Sequence, residues 1–483
     1  MSHAACSQTG SGRPGPVHCL AFDFGAGSGR AMLGRLDTHG LALEEIHRFD
    51  TATVIDDGQL CWDPEALYGG LETGLRAAQS LGPVHAIGID AWGVDFGLVD
   101  ADGRLLGPPL HHRNGHGSRG VVRGVLSLDD MHRRTGAQKL ELNTVFQLID
   151  LHARRPERIA AADRLLLMAD LFSAHLTGRQ TNEYTLATTT GLFDTVRGEW
   201  AYALIDELGL PRRLFRPVVV PGELCGVLRP ALRAAGGAAT PVVAVGAHDT
   251  ASAVAGLDLA ADEAFLILGS WSLLGVETGA PTRDARTLAH GFGNEGGVCG
   301  THRLITNING LYLIQMLRQA WRVRHDERPE FSEITAAARA ARSLGLPASM
   351  RIDPTDRRFF SPDDIMMAID DFLDAGGHSR PAGLGEYALA IYRGLADQIA
   401  GGVATLEQEF GRRIGAIHVC GGGSQDALLC ECIVEAAGKP IRHGAVEASA
   451  YGNVLMQLVG LGAVDDLRAA RALLGGSSRR EQA

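Results

Sequence analysis

The chain has 483 residues, enough for two or three domains. Its hydrophobic fraction of 45% and charged fraction of 21% are globular values. A net charge of −11 argues against a nucleic-acid binder, and no apolar run reaches the roughly 18 residues that read as a membrane span.

Residues 1–15 are rich in Gly, Ser and Pro and carry no apolar stretch, so they are expected to be a disordered tail and not a signal peptide. Residues 17–25 (VHCLAFDFG) predict a buried strand ending in a glycine turn, with neighbouring strands at 30–36 and 41–49. Helical periodicity runs over 64–81, and 84–90 (VHAIGID) predicts another strand. Phe96–Val99 and Arg104–Leu106 predict a hairpin across the turn at 100–103. Residues 121–178 read as mostly helical, broken at Gly136 and Pro156, and 241–247 (PVVAVGA) as a strand opening onto Asp249.

After Gly256 the pattern restarts. Residues 264–270 (AFLILGS) and 271–277 (WSLLGVE) repeat the strand–turn–strand of 17–36. A long amphipathic helix follows at 385–412, then a strand at 415–420, a turn at Gly421–Gly423 and a helix at 425–437. The expectation is a duplication: two α/β halves whose hairpin turns face a shared cleft. The boundaries expected are 16–256 for the N-terminal unit, 257–465 for the C-terminal unit, and 466–483 as a tail.

Three stretches carry the chemistry. In the first, Asp23-Phe24-Gly25-Ala26-Gly27-Ser28-Gly29-Arg30, the glycines leave the backbone free to wrap an anion. Asp23 there suits Mg²⁺ held through water, and Arg30 offers a positive head. The glycines lead into a strand and not a helix, which excludes a dinucleotide fingerprint, and no Lys is near, which excludes a Walker loop. In the second, Asp249 follows an apolar strand and precedes small residues. That place suits a general base, and equally a helix cap working through Thr250 and Ser252. The third pairs Gly269-Ser270 with Gly421-Gly422-Gly423, each either an anion contact or a tight turn. Trp92-Gly93-Val94-Asp95-Phe96 fits sugar recognition by a stacked ring and carboxylates, or core packing. The eight cysteines form no zinc-type pattern and read as free thiols of a cytoplasmic protein.

Over residues 17 to about 465 the chain resembles the FGGY carbohydrate kinases, most closely those acting on L-rhamnulose. The resemblance rests on Ile87-Gly88-Ile89-Asp90-Ala91-Trp92-Gly93-Val94-Asp95-Phe96, His248-Asp249-Thr250-Ala251-Ser252-Ala253-Val254, Asn294-Glu295-Gly296-Gly297, Asn307, Gln315 and Val446-Glu447-Ala448-Ser449. It implies an actin/hexokinase-type, ribonuclease H-like fold of two similar domains around an ATP cleft. It also implies transfer of phosphate from ATP, with Mg²⁺, to the 1-hydroxyl of the ketose. Asp249 falls on the family's proton acceptor. Ala26, Gly27, Ser28, Gly29 and Arg30 fall on its first phosphate loop, and Ser270, Gln315 and Gly422 on nucleotide contacts. Gly93, His248, Asp249, Thr250 and Asn307 fall on sugar contacts.

Four departures stand out: Ser270 for a usual Thr, Gly27 for a usual Ser, Asp426 for a common Asn, and His112-Arg113-Asn114-Gly115-His116 for a usual Tyr-Arg-Asp-x-Arg. Asp426 places a possible negative charge near the adenosine. The implied partners are ATP and a small ketose, with neither nucleic acid nor membrane, in a monomer or small homo-oligomer. The readings left open are a kinase for fuculose, ribulose or xylulose, and a non-catalytic nucleotide-binding regulator on the same fold.

Overall fold

The computed structural model describes residues 16–237, 239–359 and 362–474; the expected N-terminal tail lies outside them. The first three strands, β1 (Val17–Phe24), β2 (Ser28–Asp37) and β3 (Gly40–Asp50), form an antiparallel meander. Helix α1 (Pro64–Leu81) follows. Asp63 caps it, accepting from Glu65 N and Ala66 N at 3.1 Å, and Pro64 sits where a missing N–H costs nothing. Leu67, Leu71, Leu75 and Ala78 bury one helical face against the meander.

Strand β4 (Ala86–Ala91) pairs parallel with β1, from Cys19↔Ala86 to Phe24↔Ala91. Then come β5 (Phe96–Val99), α2 (Thr144–Arg154), β6 (Arg164–Leu167) and α3 (Met168–Thr177). The hairpin expected at 96–106 is reduced to one bridge between Val99 and Leu105, because β5 pairs with β6. All of β5 is buried, and the apolar run of β6 covers it better than Arg104 and its exposed turn would. Strands β7 (Leu224–Val227) and β8 (Pro241–Val243) complete a sheet ordered β7-β8-β4-β1-β2-β3. Helix α4 (Asp249–Ala255) follows β8.

In the C-terminal half, β9 (Glu263–Leu268), β10 (Trp271–Thr278), β11 (Gly293–Gly296) and β12 (His302–Asn309) lead into helices α5 (Tyr312–His325), α6 (Phe331–Ser343) and α7 (Leu384–Gln408). After these come β13 (Ala416–Cys420), α8 (Ala427–Ala437), β14 (Ile441–His443), α9 (Ala448–Gly460) and α10 (Leu467–Ala472). The sheet runs β11-β12-β10-β9-β13-β14. Setting aside β7 and β11, the sheets share one plan: β3-β2-β1-β4-β8 and β12-β10-β9-β13-β14. In both, an antiparallel meander continues into two parallel strands. This is the expected duplication of a ribonuclease H-like α/β unit.

The halves are tied by α9. Its Val454, Leu455 and Leu458 pack with Cys19, Ala21 and Met32 on the N-terminal sheet. Helix α4 crosses α9 at two glycines: a Cβ on Gly256 would run into Ala448 O, and one on Gly452 would lie 2.7 Å from Gly256 N. The C-terminal tail expected from 466 instead begins with α10. Asp466 caps it at Ala469 N, 2.8 Å away, and Leu467 and Ala470 are buried against α9, so two apolar side chains three apart suffice to seat one more turn and a half.

Candidate active site

Strand ends converge where the halves meet. Residues 244–247 run from β8 alongside the end of β4, with Ala91 N donating to Ala247 O at 2.8 Å. This sets Asp249 as the first residue of α4, with His248 before it. Asp249 is not the helix cap that its sequence allowed. Among the described residues its Oδ1 accepts only from Thr250 N, at 2.6 Å, with His248 Nε2 3.5 Å away. Burial raises its pKa to about 6, against the pull of His248 and Arg303; Asp23 adds to the rise. A carboxylate poised there suits a general base at neutral pH.

Around it lies a buried polar network. His248 N donates to Thr185 Oγ1 at 3.0 Å, and His248 Nδ1 meets Glu295 Oε2 at 2.8 Å. Arg303 is wholly shielded from solvent. It donates from Nη1 to Thr250 Oγ1 at 2.7 Å, from Nη2 to Glu295 Oε2 at 2.8 Å and from Nε to Gly296 O at 3.0 Å. Burial alone would raise Glu295, but His248 and Arg303 outweigh it and hold the carboxylate below its ordinary value. Gly93 completes this group: a Cβ there would lie 3.1 Å from Thr189 and 3.3 Å from His248 Nε2. Asn307 projects from the same face of β12 as Arg303, four residues on, and is half-buried.

Of the two readings of the segment after β4, core packing holds for its rings. Trp92 and Phe96 are core residues, and Asp95 is not free to take hydroxyls. Its Oδ2 accepts from Trp62 Nε1 at 2.7 Å and Trp92 Nε1 at 3.0 Å, and meets His112 Nδ1 at 2.8 Å. Burial pushes Asp95 up, but His112 and the indole N–H groups outweigh it, and its pKa lies below the usual range. His111 stacks on Trp62 with centroids 4.1 Å apart, and His116 Nε2 meets Gln147 Oε1 at 2.7 Å. The unusual His112–His116 run therefore packs the wall behind the segment. Val94 carries the strain there, with φ +66° on a β-branched residue, held by Thr189 Oγ1 on its N–H and Thr144 Oγ1 on its carbonyl.

The first glycine turn closes with Gly25 N donating to Ser28 O at 3.0 Å; Ala26 and Gly27 are exposed. Gly29 lies in β2, where a side chain would strike the Phe49 ring. Arg30 is not the free positive head the sequence suggested. Its guanidinium joins Asp23 Oδ2, at 2.5 Å, to Glu447 just before α9. Asp23 faces Asp90 across β1 and β4. Burial and the charges of Asp23 and Asp249 push Asp90 well above the ordinary carboxylate range.

In the C-terminal half, Gln315 Nε2 donates to Ser270 Oγ at 3.0 Å. Gly421, at φ +83°, packs its turn against Leu268 O, which brings Gly422 beside the β9–β10 turn. The glycines do not open α8 directly. A 3₁₀ turn intervenes, and Asp426 caps α8 through Leu428 N and Leu429 N, both at 3.1 Å. The other Asp426 oxygen accepts from Tyr392 Oη, at 2.5 Å, and Thr335 Oγ1, at 2.9 Å. Its charge is thus spent on structure.

Sequence reasoning singled out His248, Asp249, Thr250 and Gly93, which the structure brings together, and Ser270 with Gln315, which touch. It missed Arg303, Thr185 and the role of Glu295. The available signal was an Arg inside the otherwise apolar RLI of a strand, a residue type seldom buried without a task.

Residues 18–256 match the FGGY family of carbohydrate kinases, N-terminal domain, and 264–461 match its C-terminal domain. The rhamnulokinase of Pectobacterium carotovorum is 39% identical over 462 residues, covering 94% of this chain and 90% of that protein. The rhamnulokinases of Bacteroides thetaiotaomicron and Halalkalibacterium halodurans are 37% and 33% identical; each match covers 95% of this chain, and 94% and 96% of those proteins. Among solved structures, gluconate kinase from Lactobacillus acidophilus superposes with a TM-score of 0.78 at 15% identity, over 95% of this chain and 92% of that one. Plasmodium falciparum glycerol kinase with ADP gives 0.73 at 14%, over the same shares. These two show the fold. With both family domains matched in order over nearly the whole length, the chain belongs to the FGGY family of carbohydrate kinases.

Proposed function

We propose that the protein transfers the γ-phosphoryl group of ATP to the 1-hydroxyl of L-rhamnulose, giving ADP and L-rhamnulose 1-phosphate. The observation that carries this is Asp249: at the junction of the halves its carboxylate caps no helix, takes Thr250 N at 2.6 Å, and is raised to about 6. The names of the relatives at 33–39% identity support the choice of ketose.

We assign the base and the sugar to the N-terminal unit, with a boundary near residue 256, and the nucleotide to the C-terminal one. Gly93, His248 and Thr250, with Asn307 reaching over from β12, hold the ketose. Ser270, Gln315 and Gly422 hold the nucleotide, and the turn Ala26 to Gly29 meets its phosphates, with Arg30 bracing that turn through Asp23 and Glu447. Asp249 takes the hydroxyl proton as the new O–P bond forms and the β,γ-bridging O–P bond breaks. Excluding water at that moment prevents loss of the phosphoryl group to hydrolysis.

The floor fits Mg²⁺ carried in with the nucleotide. Its donor is the hard carboxylate of Asp23 at the end of β1; Asp90 beside it is pushed towards its neutral form by burial and by that same charge. Among the described residues no three acidic, His or Cys side chains form a metal cage, and a nucleotide-borne Mg²⁺ needs only one or two carboxylates. Bound there, Mg²⁺ would neutralise the β- and γ-phosphate charge, with Asp23 as its water-mediated anchor. The described cysteines are free, which fits a reducing compartment such as the cytoplasm.

A panel of L-rhamnulose, fuculose, ribulose and xylulose with coupled ADP detection tests the reading. L-rhamnulose should give the highest kcat/KM. A higher value for another ketose reassigns the sugar, and ATP turnover without any phosphosugar removes the kinase reading.

A further inference from the structure

We propose that Glu295 and Arg303, both from the C-terminal half, are positioning residues that set the catalytic base across the junction; this rests on the assignment of Asp249 above. They are cross-strand partners on β11 and β12, in register as Glu295↔Arg303. A buried ion pair is weak evidence for stability, since an apolar pair of similar volume serves as well. This pair is also aimed. Glu295 takes His248 Nδ1 and Arg303 takes Thr250 Oγ1, the two residues that flank Asp249. Thr250 N in turn holds the Asp249 carboxylate at 2.6 Å. The base is thus fixed from a strand of the opposite half, and its setting depends on how the halves are seated.

Charges face Asp249 from several elements. His248 precedes it on the cap of α4, Asp23 ends β1, Asp90 lies on β4, and Arg303 with Glu295 comes from β12 and β11. Glu183 lies behind His248. Of these, His248 and Arg303 favour the carboxylate form. Removing the Arg303 charge should therefore move the acid limb of activity upward, an effect that packing alone would not produce.

The experiment compares Arg303→Met, Arg303→Lys, Glu295→Ala and Glu295→Gln with the parent chain. It reads kcat, both KM values, and the pH profile of kcat/KM for whichever ketose the parent phosphorylates. Arg303→Met is expected to lower kcat about 10- to 100-fold with the KM for ATP unchanged, and to move the acid limb upward. Lys at 303 keeps the charge but cannot fork to Thr250 and Glu295 together, so kcat falls while the limb stays. Gln at 295 keeps an acceptor for His248 and should retain more kcat than Ala.

A folded Arg303→Met with parental kcat and limb overturns the proposal. So does a loss of kcat with an unmoved limb, which marks a purely structural pair. If Arg303→Met does not fold, parental kcat in Arg303→Lys overturns it as well. A parent that phosphorylates no ketose refutes the assigned function instead, and is visible before any variant is made.

Discussion

Asn453 on α9 donates from Nδ2 to Asp90 Oδ2 at 2.6 Å, joining residues 363 positions apart in the chain. Gln457, one turn on, donates to Leu20 O at 3.1 Å and to Asn453 Oδ1 at 2.7 Å. The last long helix thereby grips the two strands, β1 and β4, whose ends carry Asp23 and the sugar segment.

Asp90 is therefore expected to serve as a hydrogen-bonding strut. Asp90→Asn keeps an acceptor for Asn453 and should leave stability within about 1 kcal/mol of the parent. Asp90→Ala leaves the buried Asn453 Nδ2 with only the long contact to Phe22 O, 3.5 Å away, and should cost about 1–3 kcal/mol. Urea unfolding distinguishes them; equal loss in both would deny the strut.

Asp249→Asn should lower kcat by about 10²–10⁴-fold, the scale of a lost general base, with ATP binding little changed. The amide also removes a half-buried charge whose pKa is already raised, so its melting temperature should not fall. Near-parental turnover would take Asp249 out of its role.

The pH profile follows from the same group. Asp249 works deprotonated, so kcat/KM should fall tenfold per unit below about pH 6, where burial has placed its pKa. For stability the sign is opposite. The folded pKa lies above the unfolded one of about 3.9, so the folded state binds the proton more tightly. The stabilising contribution is complete below about pH 4 and is lost as pH rises through about 6. An acid limb that persists unmoved in Asp249→Asn would assign the titration elsewhere.

The crossing of α4 and α9 leaves no room for a methyl group. Gly452→Ala should destabilise by about 1–3 kcal/mol through overpacking and shift α4, lowering kcat as well. Guanidinium unfolding with parallel kinetics tests this. A variant as stable as the parent would show that the helices can move apart freely.

Much of the plan was legible in the chain itself. Apolar runs punctuated by Gly turns predicted β1, β2, β9 and β10, and their repetition after Gly256 predicted the duplication, because apolar runs and turn chemistry are local properties. The residues His248-Asp249-Thr250 stood out for the same reason, since a carboxylate after a strand and before small residues is a local pattern.

What the chain alone left open was every choice between a group's competing partners. Arg30 reads as a free cation until Asp23 and Glu447 claim it, and Asp95 as a sugar ligand until two indoles and His112 do. Asp426 reads as a charge near the nucleotide until α8, Tyr392 and Thr335 absorb it. Arg303 and Glu295 acquire a role only because two sheets distant in sequence close on each other. Local sequence determined which elements form and where their ends lie; the tertiary structure decided which charges are spent on packing and which one, Asp249, is left to act, because burial and pairing are properties of the folded neighbourhood and not of the neighbouring residues in the chain.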